Sequence, residues 1–389
     1  MPDEQPPNPA ASPPVRWDRI LVPVAILAVI AFVAVGPSGF TGLDPEATGR
    51  AFLRGELPYR DVPLEYPPGG ALVLALVALV QGPMPYLLVF RVLMGAGWVG
   101  LALLVRRAGD AAVRRGFMTA TLAYAWILFA LYDVLVALLA FLAWRALSRG
   151  ATTRSQAWVA TGVVFKWVTA PLLLLSLPHP PRARRLVVAT AWAALAIAIA
   201  VVWPHAFASG GGDPLTFQGS RPLHAESTLG SFVVLRRVLS GNPAGLVHDH
   251  RSIAVAGLGS WSTVAPAILM ATALLWIWWR GDRRSPSTWA AMLLAIPALG
   301  PVASPQFFVW PLGFAGWMSE RARSLYVASG IVSALYFVAT IDLPVSHPLP
   351  VAIVAARSVV ALAATWRLAA DGRVAPRTPR PAAYAGATG

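Results

Sequence analysis

Apolar residues along this chain fall into long unbroken runs rather than the one-face stripes of a water-soluble helix. Ile20–Val35, Tyr86–Val105, Leu186–Val202, Ser262–Trp279, Leu325–Thr340 and Val351–Trp366 each approach the ~20 residues a helix needs to cross about 30 Å of hydrocarbon. Five short gaps, Arg106–Arg115, Arg145–Arg154, Arg182–Arg185, Arg280–Arg284 and Glu320–Arg323, hold fifteen arginines against three acids, Asp110, Asp282 and Glu320. The positive-inside rule puts all five gaps in the cytoplasm, together with Arg16–Arg19 and the arginine-containing tail.

That assignment orders the rest of the chain. A first span at about 20–37 runs outward. Only one net crossing, near 86–105, fits before the cytoplasmic gap at Arg106, so Gly69–Val80 is a re-entrant or surface helix. Spans near 117–131 and 133–148 form a hairpin turning outside at Tyr132 and Asp133. A tight pair near 156–167 and 169–180 turns outside at Lys166, its halves too short to cross fully. A single crossing over Trp158–Ser176 is the alternative, and it would put Arg182–Arg185 outside. Spans near 186–203, 262–279, 287–303, 306–319, 325–341 and 350–367 follow. The pattern predicts an all-α, polytopic transmembrane helical bundle of about 12 spans, some short or broken, with both termini cytoplasmic. Residues 1–18 and 370–389 read as disordered tails around a membrane domain over 19–369. Two larger outer loops, about 39–68 and 204–260, complete it.

Composition strengthens this picture. The chain is 57% hydrophobic and 12% charged, about half the charge of a soluble domain. The net charge of +14 is explained by the cytoplasmic arginines, so nucleic acid is not an expected partner. Without cysteine, disulfides and thiolate metal sites are unavailable. Met1–Pro14 is Pro-rich and acidic, unlike the start of a cleaved signal peptide. No glycine-rich nucleotide loop follows a strand. His248-Asp249-His250 is too sparse to predict a metal site, and none is expected.

Unusual polar clusters all fall on the outer side of this topology. The first loop carries Asp44, then Tyr59-Arg60-Asp61 and Glu65-Tyr66-Pro67-Pro68, carboxylates that could take a proton from an attacking hydroxyl; an ordinary solvated acidic loop is the plainer reading. Asp133 opens a span between apolar stretches, where an ionisable group is expensive and usually functional, although it could instead cap the helix. Lys166 is the only lysine in the chain; it could meet a phosphate as a point charge or snorkel to the interface. Arg221 offers a fork for phosphate, with His224 and Glu226 close by for sugar hydroxyls, while Ser227 or Thr228 suits a helix cap. Ser304-Pro305-Gln306 beside aromatics suits a sugar or headgroup, or plain interfacial anchoring.

The order of these elements resembles a known class. An acidic first loop ends in Glu65-Tyr66-Pro67-Pro68, Tyr132-Asp133 opens a span, and Lys166 stands five residues before Pro171. Arg221 precedes Glu226-Ser227, and an outer Ser304-Pro305-Gln306 turn follows. Over roughly residues 20–320 the chain resembles the GT-C membrane glycosyltransferases that use polyprenyl-phosphate sugars, closest to the bacterial glycosyltransferase family 87 mannosyltransferase-like proteins. The resemblance implies an inverting hexosyltransferase of the bacterial plasma membrane. It would move a sugar, mannose by default, from a polyprenyl-phosphate co-substrate to a lipid or glycan acceptor at the outer face, with no cofactor. It implies Asp44 or Asp61 as base, Glu65 and Asp133 as further catalytic acids, and Lys166 and Arg221 at the donor phosphate. Tyr59, Tyr66, His224, Glu226, Ser304 and Gln306 would hold sugar or acceptor. Asp44 is followed by Pro45-Glu46 rather than the Asp-x-x-x-Tyr pattern of the class, which leaves Asp44 and Asp61 both open as base. A transporter or lipid-linked-sugar flippase is the rival reading, usually marked by internal repeats and midplane broken helices; no convincing repeat is visible.

Overall fold

The computed structural model describes residues 23, 27, 45–80, 85–177, 183–208, 216–217, 219, 221–242, 245–249 and 252–373. Asp44, the first span apart from residues 23 and 27, the N-terminal tail and 374–389 lie outside the described residues.

The chain is a helical membrane protein, and its described residues are all-α apart from one small β-hairpin. Helix α1 (Pro45–Leu53) and α2 (Pro68–Val80) belong to the first loop region, and α3 (Tyr86–Ala108), α4 (Ala111–Tyr124), α5 (Asp133–Ser148), α6 (Thr152–Phe165) and the one-turn α7 (Leu172–Ser176) follow. Next come α8 (Ala183–Ile197), α9 (Trp203–Phe207), α10 (Thr228–Leu239), the strands β1 (Leu246–Asp249) and β2 (Ser252–Val255), then α11 (Trp261–Arg280), α12 (Pro286–Leu299), α13 (Glu320–Asp342) and α14 (Pro348–Asp371). Among the described residues, five helical stretches are long and apolar enough to cross a membrane: Tyr86–Ala108, Leu186–Ala206, Trp261–Arg280, Glu320–Asp342 and Pro348–Asp371. They coincide with the five apolar runs that lie in the described residues. Leu195, Ile268, Leu269, Leu275, Leu335 and Val338 are outward-facing and exposed, a surface suited to lipid. Helix α2, with 13 residues, spans only about 20 Å, as a re-entrant or surface helix would.

Local chemistry explains several boundaries. Asp110 caps α4 by accepting the Val113 N–H, Ser319 caps α13 by accepting that of Ala322, and Pro348 starts α14 behind His347, where its missing N–H costs nothing. The helix over Leu186–Ala206 passes through a π-turn, Ala198–Val202, just before Pro204. Proline has no N–H to offer the Ala200 carbonyl, and the Trp167 indole donates to it instead at 3.1 Å.

Three expectations change. The segment 306–319 is not a helix: two 3-10 stretches, Pro305–Val309 and Leu312–Trp317, replace it. Pro305, Pro311, Gly313 and Gly316 disfavour a regular helix, and burial of Phe308, Val309, Leu312, Phe314 and Ala315 shields the irregular backbone as membrane depth requires. The loop over about 204–260 is not purely α. β1 and β2 pair antiparallel with Val247 opposite Ala254, and Leu223–Ala225 joins their edge through Ala225 N–H to Ile253 O (2.8 Å) and Val255 N–H to Leu223 O (2.9 Å). Helical order also persists through residues 370 and 371, within the range read as a disordered tail.

Two sets of contacts define opposite ends. At one, Trp144 donates to the Arg284 carbonyl, Arg283 to that of Leu177 and the Asp282 N–H to that of Gly372, while Ser319 bonds Asp371 and Arg323 lies against Gly116. Among the described residues, Arg280–Arg284 and Glu320–Arg323 therefore lie beside residues that adjoin the gaps Arg145–Arg154 and Arg106–Arg115. The polar clusters of the first loop, Asp133, Lys166, 221–226 and 304–310 gather at the other.

Candidate functional site

The site begins with a break in the chain. Helix α6 stops at Phe165 and Lys166 takes an extended conformation, φ −160° and ψ 124°. The chain then reverses: the Gln156 amide donates to the Ser176 carbonyl at 3.1 Å, so α6 and α7 run back to back rather than as one crossing. Gly162 permits this, since a Cβ there would stand 2.8 Å from Thr169 Oγ1. The turn leaves Lys166 at the end of a hairpin, buried at 8% exposure.

Its ammonium donates to Asp133 Oδ1 at 2.7 Å. Asp133, 1% exposed, is the first residue of α5 but does not cap it: the same Oδ1 also accepts the Trp310 indole N–H, and Oδ2 has no hydrogen-bond partner among the described residues. Four rings surround the ammonium, with centroids at 4.8 Å (Phe307), 5.4 Å (Trp310), 5.5 Å (Tyr132) and 5.6 Å (Tyr66). Negative ring faces and one carboxylate stabilise a charge removed from water. Lys166 therefore neither snorkels nor presents a free ammonium to a phosphate.

The first loop supplies one wall. Tyr66 packs edge-on against Tyr132 at 5.2 Å. Gly69 and Gly70 allow the approach, because a Cβ on Gly70 would sit 2.8 Å from the Tyr132 hydroxyl and one on Gly69 2.8 Å from the Val164 carbonyl. Burial holds the Tyr66 phenol well above its usual pKa, with the charges of Glu65 and Asp133 and a hydrogen bond to Glu65 adding to the effect; it remains a protonated donor. Tyr59, buried with φ +71°, donates to the Tyr66 carbonyl at 2.9 Å and packs against Trp203. Left-handed backbone is uncommon for a bulky residue and marks a constrained loop.

Asp61 stands apart. It is exposed and accepts both Arg60 Nε (2.9 Å) and Nη2 (2.8 Å), together with the Leu57 N–H (2.8 Å). Arg60 first, then the Leu57 amide, lowers its pKa, which makes Asp61 a weak base.

A second pair lies beside the first. Glu226 accepts the Tyr336 hydroxyl at 3.2 Å, and Arg357, 1% exposed, donates to the Glu226 carbonyl at 2.5 Å with its Nη1 3.7 Å from Oε2. Burial raises the Glu226 pKa, partly countered by Arg357 and Tyr336. His224 is pushed down to about 3, by burial and then by the Arg221 and Arg357 charges, so it is neutral. Ser227 caps α10 by accepting the Gly230 N–H, and Thr228 bonds the Ala298 carbonyl. Arg357 lies 5.3 Å over the Phe308 ring, next along the chain from the Phe307 that faces Lys166. Ser304 and Gln306, on the same turn, bond each other.

Glu65, Tyr66, Asp133 and Lys166 thus share one cluster, and His224 and Glu226 join an adjoining one that Arg221 acts on. Asp61 belongs to neither, and Asp44 lies outside the described residues. Sequence reasoning missed Trp310, Tyr336 and Arg357, and it took Phe307 only as one of the aromatics beside Gln306. An arginine inside an apolar run was signal enough for Arg357; Trp310 had none, being one of 16 tryptophans. Among the described residues no group of three or more His, Cys, Asp or Glu side chains could hold a metal ion. In comparisons with known proteins, no family model and no curated protein sequence matches this chain.

Proposed function

We propose that the chain is a multi-pass glycosyltransferase of the bacterial plasma membrane, with about 12 crossings and both termini in the cytoplasm. It moves a hexose, mannose first among candidates, from a polyprenyl-phosphate donor to a lipid or glycan acceptor at the outer face. The observation that carries this reading is the gathering of Glu65, Tyr66, Asp133 and Lys166, from three separate segments, at the end opposite the arginine-rich gaps.

The chemistry asks for little else. A first-loop carboxylate takes the proton of the acceptor hydroxyl. The oxygen attacks the anomeric carbon from the face opposite the phosphate, the carbon–phosphate-oxygen bond breaks, and its electron pair leaves with the polyprenyl phosphate; configuration inverts. Fixed cations stabilise the departing anion. Because the phosphoester is already a good leaving group, the reading requires neither nucleotide nor metal. The Arg60 fork on Asp61 favours Asp44 as the base. With its ammonium held by Asp133, Lys166 fits the role of fixing that carboxylate better than that of binding phosphate.

A lipid-linked-sugar flippase is the second reading, favoured by the helix broken at a buried ion pair, a feature of transporters. Incubating the purified protein with radiolabelled polyprenyl-phosphate mannose and native membrane lipids separates the two. The expected result is label in a new product, lost in Asp44→Asn and retained in Asp61→Asn. Intact donor after trials with mannose, glucose and arabinose forms, together with donor crossing proteoliposome membranes, would replace the transferase by the flippase.

A further inference from the structure

Arg357 stands nine residues past the start of α14, roughly 14 Å along the helix axis, and is 1% exposed. Among the described residues its one hydrogen-bond acceptor is the Glu226 carbonyl. Nη1 faces Glu226 Oε2 across 3.7 Å, too far for a hydrogen bond. Among the described residues, Arg357 Nε and Nη1 have no acceptor and Glu226 Oε2 has no donor. A buried guanidinium with unused donors is costly unless a ligand completes it. Its partner Glu226 also borders a small cavity lined by Ala225, Val234, Val345, Val351 and Val354, with Ser231 and Tyr336 completing the polar edge. Lys166 is the contrast, an ammonium already enclosed by a carboxylate and four rings.

We propose that Arg357 is the phosphate-binding group of this end of the molecule. Its unused N–H groups meet the oxygens of a phosphate monoester or diester on a hydrocarbon chain, and the chain lies along the valine wall. Glu226 keeps its bond to Tyr336 and yields its ionic contact to the entering anion. Naming that phosphate as a sugar donor's rests on the proposed function. Binding is read without turnover, so a failed transfer assay and a failed binding assay remain distinguishable.

The test uses the full chain in maltoside micelles, titrated with dodecyl phosphate and separately with inorganic phosphate, followed by phosphorus NMR. Dodecyl phosphate is expected to bind saturably, and Arg357→Gln to weaken it about tenfold or more, the scale of a lost charged contact. Glu226→Gln, which removes the competing carboxylate, is expected to tighten binding. The double variant Arg357→Gln with Glu226→Gln leaves no uncompensated charge, so it guards against misfolding, and it should still bind weakly. Unchanged affinity in the double variant would overturn the proposal, as would weaker binding in Glu226→Gln. A loss in Lys166→Met as large as that in Arg357→Gln would return the phosphate to Lys166. Inorganic phosphate binding as tightly as dodecyl phosphate supports the Arg357 site and names the free ion as its ligand; much weaker binding names the lipid phosphate.

Discussion

Removing the Lys166 charge while leaving Asp133 in place is the sharpest perturbation of the cluster. At the observed 2.7 Å, an effective dielectric of about 20 gives roughly 6 kcal/mol of attraction. Stripping both ions of water costs several kcal/mol each, so the pair contributes little beyond what a well-packed apolar pair would. Losing one partner is different. In Lys166→Met, Asp133 keeps the Trp310 N–H but loses its charged partner while buried, a loss of about 3–5 kcal/mol. Asp133→Asn leaves the ammonium with its four rings, each worth about 0.5–2 kcal/mol, and should cost less. The double variant Asp133→Asn with Lys166→Met removes both charges and should be more stable than the sum of the single effects by about 3 kcal/mol. Unfolding the four proteins by SDS titration in mixed micelles measures this coupling. Single effects that add to within about 0.5 kcal/mol would show that the two side chains do not depend on each other, and the account of the cluster would fail. Lys166→Arg is a further check: a planar guanidinium does not fit a cage built round a compact ammonium, so it should rescue poorly.

Two other outcomes follow from the remaining parts of the molecule. His224 is depressed from 6.5 to about 3 in the fold, so its contribution to stability is present above pH 6.5 and is lost as pH falls, at about 1.4 kcal/mol per pH unit; His224→Gln should flatten the unfolding midpoint between pH 6 and 4 (roughly the window between the two values), and an unchanged slope refutes the assignment. The cysteine-free chain suits labelling: an impermeant maleimide should reach Arg54→Cys in intact cells and Arg149→Cys only after permeabilisation, and the reverse result inverts the topology.

Much of the scaffold was legible because hydrocarbon imposes a length and an apolar composition that can be read directly from the chain. The five described apolar runs became five long helices for that reason. The hairpin at Lys166 was legible from the shortness of its halves. What could not be read is who meets whom. Asp133 and Lys166 were singled out separately, as rare ionisable groups in apolar stretches, each with its own role, yet 33 positions apart in sequence they form one ion pair. Their meeting depends on close approaches at Gly69, Gly70 and Gly162, which carry no periodicity. Arg357 satisfied the same criterion as Lys166 but was one arginine among many, and assigning arginines to loops passed over it and Arg91, which both lie inside long apolar helices.

The segment 306–319 shows why the misread element matters most. In an α-helix, successive side chains turn by about 100°, whereas in a 3-10 helix residues three apart eclipse. The 3-10 form of Pro305–Val309 and its continuation into Trp310 lets Phe307 and Trp310 lie one above the other, stacked at 4.7 Å. Both therefore face the Lys166 ammonium, and the Trp310 N–H reaches Asp133. Phe308, one step round, points instead to Arg357. A regular helix would offset Phe307 from Trp310 by about 60° and weaken this joint contact. The two buried ion pairs are thus seated on opposite sides of one short turn, and the irregular backbone that breaks the expected span is what brings both pairs to the same end of the molecule.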